Sequence, residues 1–393
     1  MISITETLAV VDTASSFTSI PVIDLSLAES PVTKPSFLSA LRYALVVVGF
    51  FYVKNSTVPH QVENEFVQKS IDLCNLPLKK KLEIDMINSK HFLGYSQMGL
   101  EKTAQKMDCR EMFDFLSPMP PPEPNAPLWM NVQGPNQWPD ENAVPGFRRA
   151  LENYLAAIGD LGSKMKTLVA EALDLEPCAL DRFFTDPPRN KVSLLKYPTP
   201  KSLLMSLETS VATRGEDQGV FQGVGCHKDG GFLTYLLQAT QHGGLEAQNK
   251  SGAWIPVPPI PNTLVVNVGR SLESMTGGVC TATTHRVNLK PEYFMDEAYR
   301  SLGPRYSFPV FQTLKLDLTN EELLSLRLPA HISSLVKDEK VKSDAEAYFA
   351  KFHLQGPGKG IFTARLTSHP NVGRRWYPVE LEQALKGQKE FKH

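Results

Sequence analysis

The sequence has few of the features that most quickly assign a chain to a class. Its five cysteines, Cys74, Cys109, Cys178, Cys226 and Cys280, are scattered through 393 residues. An odd count without paired spacing argues against a disulfide framework or a cysteine-built zinc site and fits a reducing compartment. An excess of one charge is also lacking, since 41 Lys and Arg face 42 Asp and Glu. No overall field draws the chain to nucleic acid or to an anionic membrane, so a small-molecule partner is expected. The longest apolar run, ALVVVGFFYV at 44–53, is half of the ~20 residues a membrane-spanning helix requires. No basic residue precedes Lys34 and no secretory apolar core is visible, which leads to the expectation of a soluble, cytoplasmic protein without a membrane partner. There is no internal repeat, low-complexity block or phosphate-binding glycine fingerprint. Oligomeric state is left open.

With 42% apolar residues, the chain can bury a large core. Apolar positions at helical spacing predict a helix around FLSALRYAL ahead of GFFYVKN, another over PHQVENEFVQKSIDLC, and a long one from about Gly146 to Leu173. The proline-rich LSPMPPPEPNAPLWMNVQGPNQWP carries two tryptophans, so it reads as an ordered crossing and not as a linker. After Lys191 come short strand-like runs: KVSLLKYP, GFLTYLLQ, GGLEAQ, AWIPVP, NTLVVNVG, TTHRVNL and RYSFPVFQ. Many strands without intervening helices point to a sandwich or jelly roll. Thr319 to Glu322 and Ser343 to Glu346 fit capping boxes that open helices near the C-terminus.

The stretch VGCHKDGGFLTYLLQ sets His227 and Asp229 one residue apart. In an extended strand both side chains share a face, which suits two ligands on one metal, but the same triplet also fits a plain turn before a buried strand. His285, in TATTHRVN, supplies a third candidate, and taken alone it also fits a hydrogen-bonded core histidine. Two imidazoles and one carboxylate form the set that leaves one face of a non-haem iron open.

The series HKD, GGLEAQNKSGAWIPVPPIPNTLVVNVGRSLESMTGG, THRV and RYSFPVFQ resembles the iron and 2-oxoglutarate-dependent dioxygenases, in the isopenicillin N synthase-like branch. The likeness begins at IPVIDLS, passes through GYSQMG and MDCREMFDF, and ends near SHPNVGRRWYP, whose form is similar to fungal members. It implies one domain spanning 1–393 with mixed α and β structure: a helix-rich part to about 190, a double-stranded β-helix (jelly roll) core over about 191–313, and a helical wrap over about 314–393. It implies Fe(II) on His227, Asp229 and His285. It also implies 2-oxoglutarate held by the R-x-S pair Arg305 and Ser307 with Tyr197, and O2 as oxidant. The expected activity is oxidation of a small organic molecule in secondary metabolism, by hydroxylation, desaturation or ring rearrangement, with release of succinate and CO2. The alternatives are an ethylene-forming enzyme, an oxidase independent of 2-oxoglutarate, and a non-catalytic binding module.

This chain departs from the family pattern at three points. Leu195 stands where many members have asparagine, and Arg270 where aspartate often follows the glycine. The His285 to Arg305 interval is long, so KPEYFMDEAY reads as an inserted hairpin tip. Arg286 and Arg300 therefore compete with Arg305 for the co-substrate, although alternation turns Arg286 away from the face of His285. His91 and His242 lie in segments able to reach a pocket, and Phe92, Tyr95, Met98, Phe232 and Tyr235 are candidates to line it.

Overall fold

The computed structural model describes residues 16–103, 106–207, 221–336 and 356–390. Its strands form two principal sheets. The first half supplies β1 (Val22–Asp24), β2 (Phe50–Lys54), β3 (Gly94–Ser96) and β4 (Glu111–Leu116). The second half supplies β5 (Asn190–Tyr197), β6 (Phe221–His227), β7 (Leu233–Leu237), β8 (Leu245–Gln248), β9 (Trp254–Pro256), β10 (Thr263–Val268), β11 (His285–Leu289) and β12 (Arg305–Gln312). The larger sheet runs β1-β2-β10-β7-β12-β5-β4-β3, and the smaller runs β9-β8-β11-β6. Only β1 and β2 pair in parallel among these strands.

The long helix appears as α3 (Phe147–Ala172), after α1 (Lys34–Tyr43) and α2 (His60–Cys74). Its Leu151, Tyr154, Leu155, Ile158, Leu161 and Met165 are buried, as the three- and four-residue spacing requires. The Tyr154 ring stacks on Phe66 of α2 with centroids 4.0 Å apart, fixing the helix pair. The helices downstream include a short α4 (Arg270–Met275) and, near the C-terminus, α5 (Pro357–Ser368), α6 (Pro370–Trp376) and α7 (Pro378–Glu390). The Thr319 capping box is formed, with both Thr319 and Glu322 bonded to each other's backbone. Ser343 to Glu346 lie outside the described residues.

The proline-rich crossing is pinned to the sheet. Asn136 closes two bonds with the Leu116 backbone, Gln137 donates to the carbonyls of Asp85 and Leu93, and Trp138 stacks on Phe115.

The first 190 residues are rich in helix and also supply β2, β3 and β4, which flank the larger sheet on both sides. The run EMFDFL is buried almost throughout, so it lacks the alternation that marks a half-exposed strand. The glycine-rich β6 was equally inconspicuous. A Cβ on its Gly223 would come within 3.1 Å of the Tyr197 ring and 2.9 Å of Val287, so the strand needs glycine where the two sheets close on each other.

Candidate active site

β6 ends on His227, and Asp229 follows in the turn that leads to β7. His285 opens β11 and is the cross-strand partner of His227. The ring centroids are 4.2 Å apart. The Nε2 atoms of His227 and His285 lie 3.5 and 3.7 Å from Asp229 Oδ1, and one nitrogen or oxygen from each of the three residues falls within 4.8 Å of the others.

The outer partners of these side chains fix how they face. His227 Nδ1 lies 2.8 Å from the Gly225 carbonyl and His285 Nδ1 lies 3.1 Å from that of Thr283. A carbonyl only accepts, so each Nδ1 must donate, and in the neutral ring Nε2 then carries the lone pair that faces the shared centre. Asp229 Oδ2 accepts from Thr234 Oγ1 at 2.6 Å and from Asn267 Nδ2 at 2.9 Å, leaving Oδ1 for the histidines. Burial raises the Asp229 carboxyl, but the two imidazoles and the Thr234 bond outweigh it and hold the group far below the usual range. Burial, with His227 beside it, pushes His285 down to about 4, so its ring is neutral at neutral pH, as a metal ligand must be.

The turn after Asp229 is packed too closely for side chains: a Cβ on Gly231 would sit 2.8 Å from the Gln312 carbonyl oxygen. Arg270 N–H donates to the Asp229 carbonyl at 2.7 Å, and Ser271 N–H donates to that of Gly231. This draws the turn against the start of α4 so closely that a Cβ on Gly269 would sit 2.0 Å from the Gly231 oxygen. Only glycine permits the approach. Arg270, which replaces the expected aspartate, pairs with Glu273 at 2.8 Å.

Further along the interior of the larger sheet, Arg305 pairs across strands with Tyr197, and Ser307 with Leu195. All four side chains therefore share one face. Arg305 is 2% exposed, its Nε donates to the Gly243 carbonyl, and its guanidinium carbon is 4.9 Å from the Tyr197 ring centroid. Its Nη1 is buried without a hydrogen-bond partner. The rival arginines are engaged elsewhere. Arg286 bonds Glu246 at 2.7 Å and stacks on Trp254, while Arg300 is 79% exposed and pairs with Asp296. The interval between His285 and Arg305 ends in a hairpin tip closed by a Met295–Ser301 bridge.

Comparison with known proteins decides the family. The model for the N-terminal region of non-haem dioxygenases in morphine synthesis matches residues 20–141, and the model for the 2OG-Fe(II) oxygenase superfamily matches residues 202–313. A 2-oxoglutarate-dependent dioxygenase of Gibberella zeae is 43% identical, with 96% of each chain covered. The chain belongs to the 2OG-Fe(II) oxygenase superfamily. A second relative, the 2-oxoglutarate-dependent dioxygenase frbJ of a Dothideomycetidae species, is 40% identical over 92% of this chain and 94% of its own. Clavatol oxidase claD of Penicillium crustosum is 30% identical over 69% and 82%. Among solved structures, full-length Neurospora crassa T7H in complex with alpha-KG has a TM-score of 0.67 at 25% identity, covering 88% of this chain and 96% of T7H. The two sheets are thus the jelly roll of this superfamily, and the oxygenase uses Fe(II), 2-oxoglutarate and O2 to oxidise a small organic molecule.

The oxygenase holds a cavity of about 520 Å³ beside His227 and Asp229. Its wall includes His91, Phe92, Leu93, Phe311, Ile361 and Ala364, so α5 forms one side of it. Of the other candidates, His242 is tied to Thr240 and Gly303 away from the cavity, and Tyr95 and Tyr235 hydrogen-bond Glu111 and Gln312. Phe232 is core and Met98 is nearly half exposed. Four cationic side chains line the wall: Lys228, which pairs with Glu273, and three that escaped the sequence reading, Arg189, Lys191 and Arg365. Lys191 had a signal, since alternation puts it on the face of Tyr197. Arg365 had none, because nothing local says that its helix folds back over the barrel mouth.

Proposed function

We propose that His227, Asp229 and His285 are the iron ligands of this oxygenase, and that Arg305, Ser307 and Tyr197 receive the distal carboxylate of 2-oxoglutarate. The observation that carries the first part is the converging donor set, two Nε2 atoms and one carboxylate oxygen whose other polar atoms are already satisfied. Such a set suits Fe(II) and leaves coordination positions open. The unpaired Arg305 Nη1 supports the second part, since a buried guanidinium edge without a partner favours an incoming carboxylate. Bound iron supplies the oxidative chemistry, coupled to conversion of 2-oxoglutarate to succinate and CO2. The protein's own part is orientation and exclusion of water. The Gly225 and Thr283 carbonyls fix the histidine tautomers, Thr234 and Asn267 fix the carboxylate, and Phe92, Phe311 and Ile361 keep the adjoining space apolar.

The substrate is a small metabolite of secondary metabolism, a reading supported by the fungal relatives. Five free cysteines support a cytoplasmic setting. No helix among the described residues is long and apolar enough to cross a membrane. The test is anaerobic titration of the apoprotein with Fe(II) and then 2-oxoglutarate, followed by succinate formation on admitting O2. Stoichiometric binding of both and succinate release that needs 2-oxoglutarate are expected. Full O2 uptake without 2-oxoglutarate would instead identify an oxidase, and ethylene in the headspace the fragmenting enzyme.

A further inference from the structure

The three unforeseen cations are concentrated on one side of the cavity, and their charges are not balanced there. Arg189 is 4% exposed. It donates to Thr313 Oγ1 at 2.8 Å and to the Val132 carbonyl at 2.9 Å, and its Nε has no partner. Among the described residues no carboxylate pairs with it. Lys191 and Arg365 share a single carboxylate, that of Asp114, at 2.7 and 3.0 Å. The nearby Glu101 is occupied by Arg110 and His369. Lys191 and Arg365 thus share one anion at a wall of the active-site cavity, and Arg189 beside Arg365 has none. Burial and Arg365 push Lys191 down to about 8, and burial and the same arginine push Arg189 down to about 10. A surplus of buried positive charge is unfavourable unless an anion completes it.

The anion is not the one assigned to Arg305. Lys191 faces Phe311 on the neighbouring strand, whereas Tyr197 faces Arg305. From Arg305 to Phe311 the strand spans about 20 Å at its usual rise, so a carboxylate held at Arg305 leaves the cluster at the cavity unneutralised. The remaining wall, with Phe92, Leu116, Phe311, Leu314 and Ile361, is apolar.

Resting on the functional reading above, we infer that the primary substrate is a carboxylic acid with an apolar body, its carboxylate received by Arg189, Lys191 and Arg365. The apolar body lies between Phe311 and the inner side of α5, which delivers its C–H bonds toward the side of the cavity formed by His227 and Asp229. A planar carboxylate matches the fork of a guanidinium.

Calorimetric titration of the full chain tests this, with Fe(II) and 2-oxoglutarate bound and O2 excluded. The probes are 4-phenylbutyrate and decanoate, each against its isosteric amide. The acids are expected to bind and the amides to bind about 10- to 150-fold more weakly, the range of a charged hydrogen bond. Arg189→Met should erase that preference while leaving 2-oxoglutarate affinity unchanged. The less buried Arg365→Gln gives the same reading should Arg189→Met fail to fold. Acids that fail to bind, or bind no better than amides, overturn the inference while the iron and co-substrate sites stand. Loss of 2-oxoglutarate binding in Arg189→Met or Arg365→Gln also overturns it, by assigning the cluster to the co-substrate. Loss of 2-oxoglutarate binding in Arg305→Gln bears only on the earlier reading.

Discussion

At the scale of single residues, the site depends on atoms that are already committed. His227→Ala, Asp229→Ala or His285→Ala each removes one of a converging set, so iron binding and turnover should both be lost while the far-ultraviolet spectrum is retained. An alanine variant with normal iron affinity would remove that residue from the ligand set. Asn267→Ala frees Asp229 Oδ2 from one of its two partners, and iron affinity measured by chelator competition should fall about 10- to 100-fold. Arg305→Gln should raise the KM for 2-oxoglutarate about 10- to 150-fold, since a charge-assisted pair contributes about 1.5 to 3 kcal/mol. Arg300→Gln, on an exposed pair with Asp296, should leave that KM unchanged. If steady-state kinetics put the increase in Arg300→Gln instead, the co-substrate arginine has been misplaced.

At the scale of elements, the long helix was legible because its apolar residues repeat over seven turns. Ile158→Ala there should lower the unfolding free energy by about 2 to 5 kcal/mol in urea denaturation, with Ile158 fully buried. A loss under 1 kcal/mol would mean that the α2–α3 packing is not the support it looks to be. The strands after Lys191 were legible from alternation and turn residues. By contrast, β4 hid behind continuous burial, and β6 behind its glycines, because strand signals assume one wet face and side chains of ordinary size. The hairpin tip between β11 and β12 was readable from spacing alone, and its exposed Asp296–Arg300 pair contributes little. Arg300→Ala, which removes the pair but keeps the backbone bonds to Asp296, should leave the midpoint of urea denaturation unchanged.

At the scale of the whole molecule, buried histidines outside the His227, Asp229 and His285 set produce a pH dependence. His242 is 1% exposed, and burial holds it down at about 4 against an ordinary 6.5. Below pH 6.5 the unfolded chain therefore takes up a proton that the native state refuses, so stability is constant above that pH and falls as pH drops toward 4. For one such group the loss between pH 7 and pH 5 is about 2 kcal/mol. His369, also pushed down to about 4 by burial, adds to the same window. Asp114, held well below the carboxylate range by Lys191 and Arg365 despite its burial, withdraws its contribution only below about pH 4. His242→Gln should flatten the slope between pH 7 and pH 5 by about 2 kcal/mol in chemical unfolding at each pH. An unaltered slope would show that this histidine is protonated in the native state.

The sequence by itself determined the local geometry: helices where apolar residues recur at three and four, strands where they alternate, and the side-by-side placement of His227 with Asp229 and of Arg305 with Ser307. Those relations span a few residues, and backbone periodicity enforces them before any packing occurs. Joining His285 to the first pair, and Tyr197 to the second, already required strand pairing, which a single sequence indicates only through likeness to a family. The charge of the cavity was decided by tertiary structure alone. Arg189 and Lys191 come from the start of β5 and Arg365 from a helix far along the chain, and no local pattern records that a C-terminal helix folds over the barrel mouth. The cost of burying their charge exists only once the water between them has been excluded.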